Sequence, residues 1–248
     1  MSFSIILPTL NENGHILKLI KEISYIFKIN KKEFEIIVVD DNSNDGTYET
    51  VKNFENNNSF LKVILRKNKK KNLANSINEG ISISKYENVI WLDADFQHPP
   101  KYIDEFIDKS KYFDVIICSR FLKDSDRYFN NSNFEKEINE NQSYLFNKIC
   151  RKMLFKDITD YTSGYICVKK KFFSDYKLQG YYGDYFVDMI VKFKKNKLKV
   201  TEIPFKDEMR ATGESKTVVK INYKYLYTCL RYFITLLQSY FKAKINFY

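Results

Sequence analysis

The stretch Val89-Ile90-Trp91-Leu92-Asp93-Ala94-Asp95-Phe96-Gln97-His98-Pro99-Pro100 sets an apolar run, a pair of carboxylates and two prolines in immediate succession. Val89–Leu92 predicts a strand. Pro99 or Pro100 predicts the first turn of a helix, where a missing backbone N–H leaves no bond unmade. A strand that ends in acids and is followed by a helix is the repeating unit of an open parallel sheet. Such sheets bind ligands beyond the carboxyl ends of their strands. Asp93 and Asp95 therefore point toward a crevice, and together with the Gln97 amide they form an oxygen donor set suited to Mg²⁺ or Mn²⁺. A bare Asp-x-Asp can equally cap a helix; its place directly after a strand favours the metal reading.

The same unit recurs on the N-terminal side. Ser4–Leu7 reads as a strand closed by Pro8, and Pro8-Thr9-Leu10-Asn11-Glu12 leaves Glu12 free to face the same crevice. Ile16, Leu17, Ile20, Ile23 and Phe27 then recur at helical spacing. Phe34–Val39 is a second strand, ending in Asp40-Asp41-Asn42-Ser43. Acids at such a position commonly accept hydrogen bonds from a ribose or base edge, whereas Asp45, just before Gly46-Thr47, reads as a helix cap. Leu61–Leu65 is a third strand and Asn72–Ile83 a helix. On the C-terminal side Val115–Cys118 is a strand. After it come a polar Asn-rich stretch over 121–142, a helix near Ser143–Leu154, a strand at Tyr165–Val168, a helix near Tyr185–Lys194 and a strand at Val200–Ile203. The alternation predicts an α/β fold with a mostly parallel central sheet flanked by helices. Residues 1–217 are expected to form the catalytic domain, and 218–248 a C-terminal amphipathic helix.

Composition narrows the partners. The 248 residues carry a formal net charge of +10, with an isoelectric point near 9.1, which favours anionic partners. The run Lys67, Lys69, Lys70 and Lys71 reads as a solvated helix start. A nucleic-acid-binding protein would explain the charge and the aromatics; it would leave strand-end carboxylates that repel phosphate unexplained. Neither GxGxxG nor a P-loop is present. The four cysteines, Cys118, Cys150, Cys167 and Cys229, form no CxxC. This suits a reducing compartment, with Cys118 and Cys167 in apolar runs that read as core. The N-terminus has no basic segment ahead of its first strand, and Tyr232–Phe241 is too short to span a bilayer. The expected location is cytoplasmic, with any membrane contact peripheral. In the tail, Leu226, Leu230, Phe233, Ile234, Leu237 and Phe241 recur at helical spacing among lysines and tyrosines, as in an interfacial helix.

The three strand-end motifs together resemble the family 2 glycosyltransferases, which have a GT-A fold, and within them the polyprenyl-phosphate glycosyltransferases that are dolichol-phosphate mannose synthase-like. Asp-Ala-Asp-Phe-Gln-His-Pro-Pro carries most of that likeness. Cys118-Ser119-Arg120-Phe121, Asp160-Tyr161-Thr162-Ser163-Gly164-Tyr165, the helix bearing Ser143 and Asn147, and Arg210-Ala211-Thr212-Gly213-Glu214-Ser215-Lys216 extend it over roughly residues 3 to 217. The resemblance implies inverting transfer of a sugar from a nucleotide-diphosphate sugar to a polyprenyl phosphate at a membrane surface. It implies a nucleoside site of Glu12, Asp40 and Asp41, with Pro8 shaping the base pocket and Leu10 and Ala94 completing the donor contacts. Asp93, Asp95 and Gln97 would hold the metal and the diphosphate, with Asp95 essential to transfer. Arg210 and Lys216 would close over the diphosphate, while Arg120 and Ser143 would meet the acceptor phosphate. One departure stands out: the family commonly has Arg about four residues before that Ser, where this chain has Asn139, with Lys136 and Arg127 as substitutes. A family 2 enzyme with a hydroxyl acceptor, using Asp160 as base, is the alternative.

Overall fold

The structure is a computed structural model. It describes residues 1–122, 125, 134–180, 182–206, 208 and 223–244, excluding the side chains of 134–141 and 223–225. In chain order the elements are β1 (Ser2–Thr9), α1 (Ile16–Ile29), β2 (Glu33–Asp40), α2 (Thr47–Glu55), β3 (Leu61–Leu65), α3 (Leu73–Ile83), β4 (Asn88–Trp91), a 3₁₀ turn at Pro100–Tyr102, and α4 (Ile103–Lys109). They continue as β5 (Val115–Ser119), α5 (Phe134–Met153), β6 (Ile166–Lys169), a second 3₁₀ turn at Lys170–Phe173, α6 (Tyr185–Lys195), β7 (Val200–Pro204) and α7 (Tyr223–Lys244).

Among the described residues the strands form one seven-stranded sheet in the order β3-β2-β1-β4-β6-β5-β7. All neighbours pair in parallel except β6, which runs antiparallel to both β4 and β5. The apolar alternation explains the layers. Phe3, Ile5, Leu7, Ile36, Val38 and Ile90 face the α1 side, while Ile6, Ile37, Val39, Val89 and Trp91 face the α3 and α6 side. Both faces are covered, so the central strands are apolar throughout, as parallel sheets require. α1 buries Ile16, Leu19, Ile20, Ile23 and Phe27, the stripe its spacing predicts. Cys118 and Cys167 are buried.

Three boundaries differ from the sequence reading. β1 does not stop at Pro8 but runs on to Thr9, pairing there with β2 alone, since β4 leaves it after Ile6. A proline is tolerated where the ladder has an open side. α5 begins at Phe134, earlier than the expected Ser143. Asn72 is the cap of α3 rather than its first residue, and its side chain accepts from Asn75 N–H at 2.9 Å. α3 lies so close to the sheet that a Cβ on Gly80 would come within 2.5 Å of Ile6.

Candidate functional site

β1, β2 and β4 end side by side, so their following loops converge. The first turns carry left-handed backbone at non-glycine residues: Asn11 after β1, Asn42 after β2 and Phe96 after β4, with φ of 59°, 61° and 66°. Asn accepts that conformation readily. Phe does so at a cost of about 1–3 kcal/mol, and such strain is characteristic of functional loops.

The loops enclose an open cleft of about 890 Å³, counting its mouth. Pro8, Leu10, Glu12, Asp41, Asp93, Ala94 and Asp95 all line it, so the structure brings together most of the residues that sequence reading placed at the donor end. Asp95 is 4% exposed, and its Oδ1 accepts the Gln97 N–H at 3.0 Å. The Asp93 side chain is 43% exposed. Its backbone N–H donates to His98 Nδ1 at 2.9 Å, which requires a lone pair on that nitrogen and leaves the other ring nitrogen protonated in the neutral imidazole. His98 is stacked on Tyr165 at 5.1 Å, so it orients the Asp93 loop, as a structural residue would. No group of three His, Cys, Asp or Glu side chains able to cage a metal occurs among the described residues. A buried and a half-exposed carboxylate lining one cleft fit the hard ion that keeps waters and phosphate oxygens as its other ligands.

Some placements differ from the sequence reading. Asp40 does not line the cleft. It is fully buried, and its carboxylate accepts from Thr9 Oγ1, Ser43 N–H and Ser43 Oγ; it ties the β1 and β2 loops together from behind. Gln97 is also absent from the lining; its backbone carbonyl accepts from Glu208 N–H. Asp45 is not the helix cap that its place in the sequence predicts: Gly46, with φ of 86°, holds that position, and Asp45, one residue earlier, accepts from Thr47 and Asn13 N–H. Burial alone would raise its carboxyl, but those hydrogen bonds hold it low. Arg210, Lys216, Arg127 and the side chains of Lys136 and Asn139 lie outside the described residues.

Other lining residues were not singled out from sequence: Lys71, Asn72, Leu73, Ser76 and Tyr182. Lys71 belongs to the lysine run, and its position just before a helix start was the available signal. Behind Asp41 stands Arg66, whose side chain is 2% exposed. It pairs with Asp41 Oδ1 and with Glu79 at 3.0 Å, and donates to Ser76 Oγ. Burial pushes the Asp41 carboxyl up, while the Asn72 N–H and the Arg66 charge pull against that shift.

A second cluster forms where β5 and β7 end and β6 begins. Arg120 makes a forked pair with Asp160, Nε to Oδ2 at 2.8 Å and Nη2 to Oδ1 at 2.9 Å. Its Nη2 also donates to Thr162 Oγ1 at 2.7 Å. Ser143 Oγ lies 3.3 Å from that same hydroxyl, and Asn147 Nδ2 donates to it at 3.0 Å. Arg120 and Ser143, far apart in sequence, thus meet at Thr162. Asp160 is fully buried; burial alone would raise its carboxyl, but the Arg120 charge outweighs it and holds the group low. A carboxylate so engaged is a poor general base. Underneath, Glu202 accepts from Thr159 N–H and Oγ1 and from Asp160 N–H. Burial raises its carboxyl to about 7, and the Asp160 charge adds to that.

Sheet order, flanking helices and a cleft with paired acids make an α/β fold whose candidate ligand site lies at the carboxyl ends of parallel strands. Residues 4–177 match the model of glycosyl transferase family 2, and the chain belongs to that family. It is 29% identical over 227 residues to a dolichol-phosphate mannosyltransferase of Pyrococcus furiosus, covering 91% of this chain and 62% of that protein. To a protein of the same name from Mycosarcoma maydis it is 27% identical over 237 residues, covering 91% of this chain and 76% of the other. In structure it is similar to glucosyl-3-phosphoglycerate synthase from Mycobacterium tuberculosis in complex with Mn²⁺, UDP and glucosyl-3-phosphoglycerate. That match has a TM-score of 0.67 at 15% identity and covers 96% of this chain and 79% of the other. Because the chain spans less than two thirds of the Pyrococcus furiosus protein, likeness to it covers a part of that protein. No described helix is long and apolar enough to cross a membrane.

Proposed function

We propose that this chain transfers a hexose from a nucleotide-diphosphate sugar to a polyprenyl phosphate, at the surface of a membrane rather than through it. The observation that carries the reading is the pair of unlike clusters on one edge of the sheet: acids on the donor side, a forked arginine with hydroxyls on the other. The relatives named dolichol-phosphate mannosyltransferase support the acceptor class. The Mn²⁺ and UDP in the similar mycobacterial structure support the donor class.

In this reading Asp41 and Glu12 receive the nucleoside, with Pro8, Leu10 and Ala94 shaping its pocket. Asp93 and Asp95 hold Mg²⁺ or Mn²⁺, which when bound neutralises charge on the departing diphosphate. Arg210 and Lys216, which lie outside the described residues, would serve that diphosphate as the family resemblance implies. Arg120 and Ser143 orient the acceptor phosphate. A phosphate oxygen is already ionised at neutral pH, so attack at the anomeric carbon needs no general base and the configuration inverts. The engagement of Asp160 by Arg120 supports this over a hydroxyl acceptor that would need Asp160 as base.

α7 supports a peripheral membrane site. Leu226, Leu230, Phe233, Ile234 and Phe241 are 43–63% exposed along it, with Lys242 and Lys244 at its end, as in helices that lie in the interface.

The test is a panel of radiolabelled GDP-mannose, UDP-glucose and UDP-GlcNAc against a short polyprenyl phosphate, the matching polyprenol and a saccharide acceptor, with and without EDTA. Transfer from one donor to the phosphate alone, lost in EDTA and restored by Mn²⁺, is the expected result. Transfer to the saccharide hydroxyl, or full activity in EDTA, would sink the reading.

A further inference from the structure

Tyr182 lines the donor cleft, in a piece of chain described at residues 178–180 and 182–184. Two sets of bonds fix it. On the inner side Asn72 Nδ2 donates to Gly180 O at 3.0 Å. Asn78 exchanges two hydrogen bonds with the Leu178 backbone, at 2.9 and 3.0 Å. On the outer side the anchor is Asp184, 1% exposed. Its Oδ1 accepts the Tyr182 N–H at 2.9 Å. Its Oδ2 accepts from two residues of α7, Arg231 Nη2 at 3.3 Å and Thr235 Oγ1 at 3.4 Å. α7 also presses on this piece of chain directly: a Cβ on Gly183 would sit 2.5 Å from the Tyr232 hydroxyl. Farther along, Lys242 reaches Asp188 of α6 at 2.7 Å.

One helix therefore has two tasks on opposite faces. Its outer face carries the exposed apolar stripe, and its inner face holds the residue that sets the Tyr182 backbone. A buried carboxylate such as Asp184 is costly without its cation, so loss of Arg231 must be answered by movement of the segment it anchors.

We propose that Arg231, acting through Asp184, is a positioning residue for the nucleotide, so that seating of the C-terminal helix and donor binding favour one another. The inference rests on the donor reading above. Coupling between sites is reciprocal: nucleotide bound in the cleft strengthens engagement of α7, and engagement of α7 on a surface strengthens nucleotide binding.

The experiment uses the full chain. UDP and GDP are titrated calorimetrically in the presence of Mn²⁺ into the wild type, Arg231→Met, Arg231→Lys, Asp184→Asn and Thr235→Val, and the Tm of each is recorded. Couplings of this kind range over roughly 5- to 150-fold. Arg231→Met should weaken the preferred nucleotide about tenfold and raise donor KM in step, with kcat at saturating donor changed less than about twofold. Arg231→Lys should recover most of the loss. Vesicles of phosphatidylcholine and phosphatidylglycerol should bind the wild type more tightly when nucleotide and Mn²⁺ are present, and Arg231→Met indifferently. If Arg231→Met fails to fold, Arg231→Lys and Thr235→Val, which keep the charge balance, carry the measurement. A lowered Tm with unchanged nucleotide affinity and donor KM would reduce the pair to a structural clasp and overturn the proposal. A wild type that binds neither nucleotide would overturn the donor reading and this proposal with it.

Discussion

The two ends of the site are built in opposite ways. At the donor end the acids follow β1, β2 and β4, three parallel strands whose loops open on the same edge. Each functional side chain sits within a few residues of its strand, and Asp41 is backed by a distant cation, Arg66. At the acceptor end Arg120 follows β5, Ser143 and Asn147 come from α5, Asp160 and Thr162 precede β6, and Glu202 lies within β7. There the reversed direction of β6 brings a loop back over the sheet, and three segments share one hydroxyl, that of Thr162. The donor end is a row of local motifs; the acceptor end is a long-range network. Local motifs should fail individually and networks collectively, and substitutions can test that contrast.

The largest effect belongs to the donor end. Asp95→Ala should lower transfer by about 10²–10³-fold, roughly 2.7–4 kcal/mol of barrier, while Tm stays near that of wild type because the Gln97 N–H that Asp95 accepts is two residues away in its own loop. Radiolabel transfer and thermal melting together check this. A large loss of Tm would show that Asp95 is part of a network after all.

Next comes the Arg120–Asp160 pair. Arg120→Ala leaves a fully buried carboxylate without its cation and should cost about 3 kcal/mol of stability. The double variant Arg120→Ala/Asp160→Asn should recover much of that stability without recovering transfer. Chemical denaturation of the single and double variants gives the coupling; simple additivity would refute the network.

Glu202 provides the pH test. Its folded carboxyl, near 7, lies above the ordinary glutamate value of 4.5, so the native state binds the proton more tightly than the unfolded chain. The stabilisation is complete below about pH 4.5 and is lost as pH rises to about 7, by up to about 3 kcal/mol. Denaturation midpoints of the wild type across that range should fall relative to those of Glu202→Gln, in which this contribution is absent.

The smallest effect expected is that of Thr162→Val, which removes the shared hydroxyl and should cost about 1 kcal/mol of stability. It should raise acceptor KM while leaving nucleotide affinity unchanged. A shift in nucleotide affinity would mean that the two ends are not separable at Thr162.

The sequence by itself determined the layered sheet, because apolar runs of four to eight residues closed by acids, Asn or Pro can be buried on both faces only in a parallel α/β arrangement. It also placed Glu12, Asp41, Asp93 and Asp95 at strand ends, since a strand's last residue and its loop are adjacent in both sequence and space. Only the tertiary structure separated Asp41, which lines the cleft, from Asp40, which turns inward to Thr9 and Ser43. Side chains alternate along an extended chain, so neighbouring acids face opposite ways, and nothing local says which one meets solvent. The fold alone also decided the partners of Arg120, the place of Arg66 behind Asp41, and the reach of Arg231 to Asp184. Those contacts span 25 to 47 residues of chain, and a charged side chain carries no local mark of the distant partner that will neutralise it.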